Sequence, residues 1–323
     1  MRLLRALPLA LCACLCAAPA AAQTYPDRTI KLLVPQPPGG GFDTVARILA
    51  DRLGPLLGQA IVVENRTGAG TLVGTEAAAR AAADGYTLLL GALSNIALNP
   101  GLYPKLPYDP LKDFTPIGLA VTWSYTLVAR KDLPQKDLKE LIAYARDNPE
   151  KVTYASAGKG SGQHIAMAVM AQLAGIKLTH VAYRGAQAAY QDILGERVDL
   201  FFDISSTARP QVDSGSVRAL AVSSKARQAM HPDVPSVAET GVAPLDMESW
   251  FGLFAPAATP PEVLARLRAE FAKVVAMPEV AELFAKTGGR TMKLSLAETE
   301  ALLAADVERW TKLIKEAGIS AGP

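Results

Sequence analysis

The sequence predicts an α/β protein built from two domains, and three observations carry that expectation. Short apolar runs alternate with stretches whose apolar residues recur at helical spacing. The alternation occurs twice, once before residue 100 and again beyond residue 138. The chain has 323 residues, enough for two domains of ordinary size, each with a buried core. Half the residues are hydrophobic and 20% are charged, which excludes disorder and collagen-like repeats. Beyond residue 22 the apolar runs are broken by charge, Gly or Pro, and none approaches the ~20 residues of a spanning helix.

Each element follows in order. Thr29 to Val34 reads as a strand closed by Pro35, and Val45, Ile48, Leu49 and Leu53 mark the helix after it. Gln59 to Glu64 is a second strand, Val73 to Ala83 an Ala-rich helix, and Tyr86 to Gly91 an apolar third strand. This order predicts right-handed crossovers and a mostly parallel sheet. The second unit repeats the plan. Leu138, Leu141, Ile142 and Ala145 mark a helix, Val152 to Ala155 a strand, and Ile165, Val169, Met170 and Leu173 another helix. Strands at 180–183 and 198–202 flank a helix at 186–194, and 217–222 is the last strand. The C-terminal part reads as helical, with Leu264, Leu267, Phe271 and Val274 on one face, then Leu303, Val307, Trp310 and Ile314. No disordered linker separates the units, so two hinge strands are expected, 124–130 outward and 218–223 on the return. The predicted domains are 23–123 with 224–323, and 124–223.

Residues 1–22 read as a secretory signal peptide. Arg2 and Arg5 precede an apolar run from Ala6 to Ala18, and Ala20-Ala21-Ala22 supplies an A-x-A cleavage pattern. Ala13-Cys14 is only a weak lipidation box. Removing the leader takes two of 33 basic residues, leaving 31 against 31 acidic ones, so the mature charge is zero. A basic nucleic-acid-binding stripe is not expected. All three cysteines (12, 14 and 16) fall in the leader, which rules out disulfide and zinc–thiolate chemistry in the mature chain. The three histidines (164, 180 and 231) are not at metal-ligand spacing, and no metal or cofactor is predicted.

Ligands in open α/β sheets sit at the carboxyl ends of strands, so the loops there matter most. Pro35 to Asp43 joins the first strand to the first helix. Its glycines, Gly39 and Gly40 among them, let backbone N–H groups approach a ligand, and the helix N-terminus attracts an anion. Asp43 either caps that helix or turns inward to hold an ammonium. Ala155 to His164 occupies the same place in the second unit, with Ser156, Ala157, Gly160 and Ser161 leading into a helix. It has neither P-loop nor nucleophile-elbow spacing. A hydrolase using Ser161 or Ser156 with His164 is the rival reading, but no orienting carboxylate is apparent.

Several motifs together resemble the Bug family of tripartite tricarboxylate transporter substrate-binding proteins. They are Tyr25-Pro26, the Pro-Pro-Gly-Gly-Gly-x-Asp loop, Val63-Glu64-Asn65-Arg66-x-Gly-Ala-Gly, Ala83 to Thr87 and Asn99-Pro100-x-Leu-Tyr103. Further on come Tyr154-Ala155-Ser156, Gly160-Ser161-Gly162-x-His164, Tyr183-Arg184-Gly185 and Val198-Asp199-Leu200-x-Phe202-Asp203. The resemblance runs from about Tyr25 to the C-terminus. It implies a type II periplasmic-binding-protein fold, two α/β domains closing over one small organic carboxylate. By position it places Gly39, Gly40, Phe42 and Asp43 on one wall of the cleft, with Ser94 and Asn95 after the third strand. Ser156, Ala157, Gly160, Ser161 and His164 form the opposite wall, and Tyr183, Gly185 and Asp203 its far edge. Two departures stand out: Ile96 at a His-like place, and Gln36 where many relatives carry an aromatic residue. The resemblance further implies a non-enzymatic, monomeric periplasmic receptor that serves membrane components of such a transporter, or a sensor protein.

Overall fold

The computed structural model describes residues 25–316 and 318–321. The predicted leader and its cysteines lie outside the described residues. The first half opens with β1 (Ile30–Val34), α1 (Gly41–Leu57), β2 (Ile61–Asn65), α2 (Leu72–Ala79) and β3 (Thr87–Ala92). β1 pairs in parallel with β2 and β3, as right-handed crossovers require. α1 forms because Val45, Leu49 and Leu53 recur on one face and are fully buried, each contributing about 1.5–3 kcal/mol for an aliphatic side chain of that size. After β3 the chain enters a buried π-helical turn at Leu93–Leu98, then α3 (Asn99–Leu102).

The long strand β4 (Phe114–Arg130) ties the molecule together. Its first part pairs antiparallel with β9 (Glu248–Pro256), and its last part with β7 (Leu200–Ile204) and β8 (Val217–Val222). The second half adds α4 (Leu138–Asp147), β5 (Thr153–Ser156), α5 (Gly162–Leu173), β6 (Thr179–Ala182), α6 (Ala186–Leu194) and α7 (Ser205–Asp213). Here β6, β5 and β7 are mutually parallel. The chain ends with α8 (Pro261–Ala276), α9 (Pro278–Ala285), β10 (Arg290–Thr291) and α10 (Leu296–Glu316). Trp123 packs edge-on against Phe251 and Phe284 at 5.3 and 6.0 Å, at the centre of the core. Trp250 Nε1 donates to Asp306 Oδ2 at 2.7 Å, pinning α10 to β9.

The sheet is therefore mixed rather than mostly parallel. A strand that leaves one half and a strand that re-enters it must run in opposite directions, which makes β4, β8 and β9 antiparallel to their neighbours. Sequence periodicity also missed β9, because a strand buried on both faces has no polar alternation to betray it.

Where β4 passes between the halves, buried hydroxyls take the place of a regular ladder. Ser223 Oγ accepts from Tyr125 N at 2.9 Å and donates to Met247 O, while Ser124 Oγ accepts from Ser224 N at 3.2 Å. Ser205 Oγ donates to Ser124 O at 2.8 Å.

Candidate functional site

Strand ends β1, β5, β6 and β7 deliver their loops to the seam between the halves. Gln36, Pro37, Pro38 and Gly40 come from the first half; Gln163, Arg184, Gly185, Ala186 and Gln187 come from the second. They enclose a cavity of about 20 Å³, room for one water molecule. The halves touch around it. Gln187 Nε2 donates to Gly39 O at 3.3 Å. A Cβ on Gly185 would lie 3.2 Å from Pro37, and one on Gly70 would lie 2.3 Å from Lys159 O.

Two helix N-termini meet at this cavity. Gly40 is the N-cap of α1 and Gly185 the N-cap of α6, and neither supplies a side-chain cap. The first-turn N–H groups of each helix are thus left for a ligand, with the positive end of the dipole behind them. Gly185 has φ +98°, a conformation an L-residue rarely adopts, and its missing Cβ is what allows Pro37 to come close. Arg184 beside it is exposed and makes no hydrogen bond or ion pair among the described residues. It is a cation free to meet a carboxylate.

Most of the residues predicted for the site serve to hold these loops. Asp43 Oδ2 accepts from Gly39 N at 3.1 Å, its Oδ1 accepts from Asn65 Nδ2 at 3.1 Å, and Arg47 forks onto both oxygens at 2.9 and 3.0 Å. Burial pushes its pKa up, but the Arg47, Gly39 and Asn65 donors outweigh burial and hold the carboxyl below its ordinary value. Asp43 thus neither caps α1 nor is left free for an ammonium: it ties down the loop before the helix through Gly39 N, Asn65 and Arg47. Phe42 lies beneath the loop, edge-on to Phe251 at 5.1 Å. Asn95 is fully buried, its Oδ1 accepting from Ala92 N at 2.7 Å and its Nδ2 donating to Thr75 at 3.0 Å. Ser94 is buried in the same π-helical turn.

In the second half, Ser161 caps α5 by accepting from His164 N at 3.3 Å. Gly160 N donates to His164 Nδ1 at 3.3 Å, and a Cβ on Gly160 would lie 3.2 Å from Tyr103 OH. Ser156 Oγ meets His180 Nε2 at 2.7 Å, and His180 stacks on His164 at 4.2 Å and on Tyr154 at 4.8 Å. Burial, then the neighbouring His180 and Lys159 charges, pull His164 down to about 3; burial and Lys159 pull His180 to about 4. Both rings are therefore neutral, and they buttress the loop through Gly160 and Ser156. Ala157 is buried within that loop. Tyr183 OH donates to Asp192 Oδ2 at 2.7 Å, on α6.

Asp203 is fully buried and saturated with donors. Ile204 N (2.8 Å) and Gln163 Nε2 (3.3 Å) reach its Oδ1; Tyr190 OH (3.0 Å) and Thr207 Oγ1 reach its Oδ2. Burial raises it to about 6 against the pull of those four donors. Thus Gly40 and Gly185 reach the cavity, while Asp43, Asn95, Ser161 and Asp203 face inward to the protein. Sequence reasoning passed over Arg184, Gln163 and Gln187, although each directly follows a strand or opens a helix, the signal that singled out their neighbours. It also passed over Ser206, whose buried hydroxyl lacks a partner among the described residues and lies beside Gly41.

A larger cavity of about 510 Å³ lies behind the junction, by Lys225, Arg227, Glu248 and Arg290. Arg290 pairs with Glu248 and Arg227 with Glu239, and the glycines that line it, Gly288 and Gly289, lead into β10 rather than open a helix. Size alone does not make it the site.

Two α/β halves that share a long strand and turn uncapped helix ends toward one seam define a periplasmic-binding-type fold. The chain belongs to the tripartite tricarboxylate transporter receptor family, whose TctC model matches residues 45–319. It is 35% identical to BugT of Bordetella pertussis over 303 residues, 94% of this chain and 93% of that protein. Its fold is similar to that of the periplasmic binding protein BugD, with a TM-score of 0.87 and 35% identity over 91% of this chain and 99% of that one. MatC of Rhodopseudomonas palustris, solved with bound malate, aligns with a TM-score of 0.86 at 32% identity, covering 90% of this chain and all of that one.

Proposed function

We propose that this protein is a periplasmic receptor that closes two domains, 23–123 with 224–323 and 124–223, over a small organic carboxylate. The observation that carries this is the meeting of two uncapped helix N-termini, Gly40 of α1 and Gly185 of α6, at one cavity beside the uncommitted Arg184. Charge-assisted bonds contribute roughly 1.5–3 kcal/mol each, so several reach the ~8 kcal/mol of micromolar binding. Malate in the related MatC supports the ligand class. The receptor acts as a monomer and passes its ligand to the membrane components of a tripartite tricarboxylate transporter or to a sensor protein.

Receptor is preferred to hydrolase on geometry. Ser161 Oγ is occupied by the His164 backbone, and Ser156, though paired with His180, is fully buried. No carboxylate hydrogen-bonds to His180 among the described residues. The test is a calorimetric and small-angle-scattering titration with carboxylates, alongside mass spectrometry of whatever copurifies. A carboxylate should bind with micromolar affinity and reduce the radius of gyration. Ester turnover without carboxylate binding would refute the reading.

A further inference from the structure

The cavity of about 510 Å³ behind the junction has the size of a site for a small organic molecule. Its position matters as much as its volume. Thr122 on β4, Glu248 on β9 and Ser224 just past β8 all border it, so the strands that carry the chain across the junction also wall the cavity. Its charged groups are held in place by the protein itself. Arg290 donates to Glu248 Oε2 at 2.8 Å, and Arg227 donates to Glu239 Oε2 and to Pro232 O, each at 3.0 Å. A guanidinium has five N–H donors, so both arginines keep donors to spare. Lys225 is exposed, and its ammonium makes no hydrogen bond or ion pair among the described residues. Glu239 does not border the cavity, so three cations in the wall meet two carboxylates, Asp246 and Glu248. The excess charge is positive, and it stands beside the apolar Ala226, Ala229 and Met230.

We propose that this cavity is a second binding site, separate from the cleft, for a small organic anion with an apolar body. Its occupant acts on the hinge. The segment after β8 and the turn before β10 both border the cavity, and α7 of the second half is tied to each. Arg209 donates to Lys286 O, a Cβ on Gly288 would lie 3.6 Å from Ser205 Cβ, and His231 Nε2 lies 3.5 Å from Asp213 Oδ1. An anion that joins the segment to the turn braces the seat of α7 in the arrangement whose seam is shut. Cavity and cleft ligands should therefore favour each other, by equal factors. Only this coupling rests on the receptor reading above; the site itself does not.

Anilinonaphthalene sulfonate provides the test, an aromatic anion too large for the cleft cavity of about 20 Å³ and an acceptor of excitation energy from tryptophan. The chain's three tryptophans lie close by. Trp250 and Trp310 border a cavity of about 240 Å³ that shares Glu248 and Arg290 with this one, and a Cβ on Gly289 would lie 2.6 Å from Trp123 Nε1. One equivalent of dye should bind with micromolar affinity, and its uncharged analogue phenylnaphthylamine at least tenfold more weakly. Lys225→Glu should weaken the dye fivefold or more, and Ala285→Phe, which fills the cavity, tenfold or more, with melting temperatures reporting that both are folded. A carboxylate that binds the cleft should tighten the dye. Displacement of the dye by that carboxylate would place it in the cleft and overturn the proposal. Several equivalents bound equally by wild type and both variants would overturn it too, as adsorption to the surface. Independent affinities for dye and carboxylate would overturn the coupling. If no carboxylate binds, the receptor reading fails, and the dye and its variants still decide this site.

Discussion

Gly70→Ala is expected to hold the cleft open. Gly70 precedes α2 in the first half, and the nearest atom to a Cβ built there is Lys159 O, in the glycine loop of the second half, at 2.3 Å. Ordinary contact begins near 3.4 Å, so the halves must part by about 1 Å at this point. The obstacle is backbone and cannot turn aside as a side chain would. A 1 Å retreat also breaks the 3.3 Å bond from Gln187 Nε2 to Gly39 O, the hydrogen bond that closes the seam over the cavity. A second cost is separable from the first. Gly70 has φ +72°, where an L-residue is strained by about 1–2 kcal/mol. That strain is present whether the cleft is open or shut and so lowers the melting temperature alone, whereas the clash exists only when the halves meet and so lowers ligand affinity. Gly58, at φ +77° with nothing within 4 Å of a Cβ, is the control for strain without clash. Calorimetry with the tightest-binding carboxylate should show Gly58→Ala at wild-type affinity and Gly70→Ala at least tenfold weaker, a closed-state penalty of about 1.4 kcal/mol or more. Scattering of the Gly70→Ala complex should retain the larger radius of gyration. Equal affinities for the two variants would refute the reasoning, since the seam would then not take part in closure.

Three further outcomes are expected. Ser223→Ala leaves Tyr125 N and Met247 O without their partner at a buried junction and should cost about 2–6 kcal/mol in denaturant unfolding, at 1–3 kcal/mol for each group; a loss below 0.5 kcal/mol would show that the junction does not depend on it. Ser161→Ala removes the α5 cap and should lower stability by about 0.5–2 kcal/mol while changing ligand affinity less than threefold, because its hydroxyl faces His164 N and not the cavity. Acidification should destabilise the protein through His164 and His180: as pH falls from 6.5 toward 4 the unfolded chain takes up protons that these depressed rings refuse, at up to about 1.4 kcal/mol per pH unit for each ring. Asp203, raised to about 6, acts in the opposite sense and offsets part of that slope between pH 6 and 3.8. His180→Asn should therefore flatten the melting-temperature profile between pH 6.5 and 4.5, and an unchanged slope would exclude the stacked rings as its source.

What the sequence by itself determined was the succession of elements and the places to look. The 3.6-residue pattern of Val45, Leu49 and Leu53, the apolar run before Pro35, and the small-residue loops after strands are local properties, and α1, β1 and the two glycine loops stand where those patterns put them. The family motifs, too, were legible as strings. Only the tertiary structure decided which side chains of those loops face the cleft. Asp43 and Asp203 are as suited to a ligand as to a backbone amide. Arg47, Asn65, Tyr190 and Thr207 resolve that choice by arriving from other turns and elements to take up the carboxylates. Arg184 and Gln163 share the strand-end and helix-start positions of their neighbours, but they become candidates only because the fold brings both to the cavity and leaves Arg184 without a partner among the described residues. The span of β4 was legible only in part for the same reason. A strand buried on both faces is recognised by the neighbours that bury it, and β7, β8 and β9 lie 70 or more residues away along the chain.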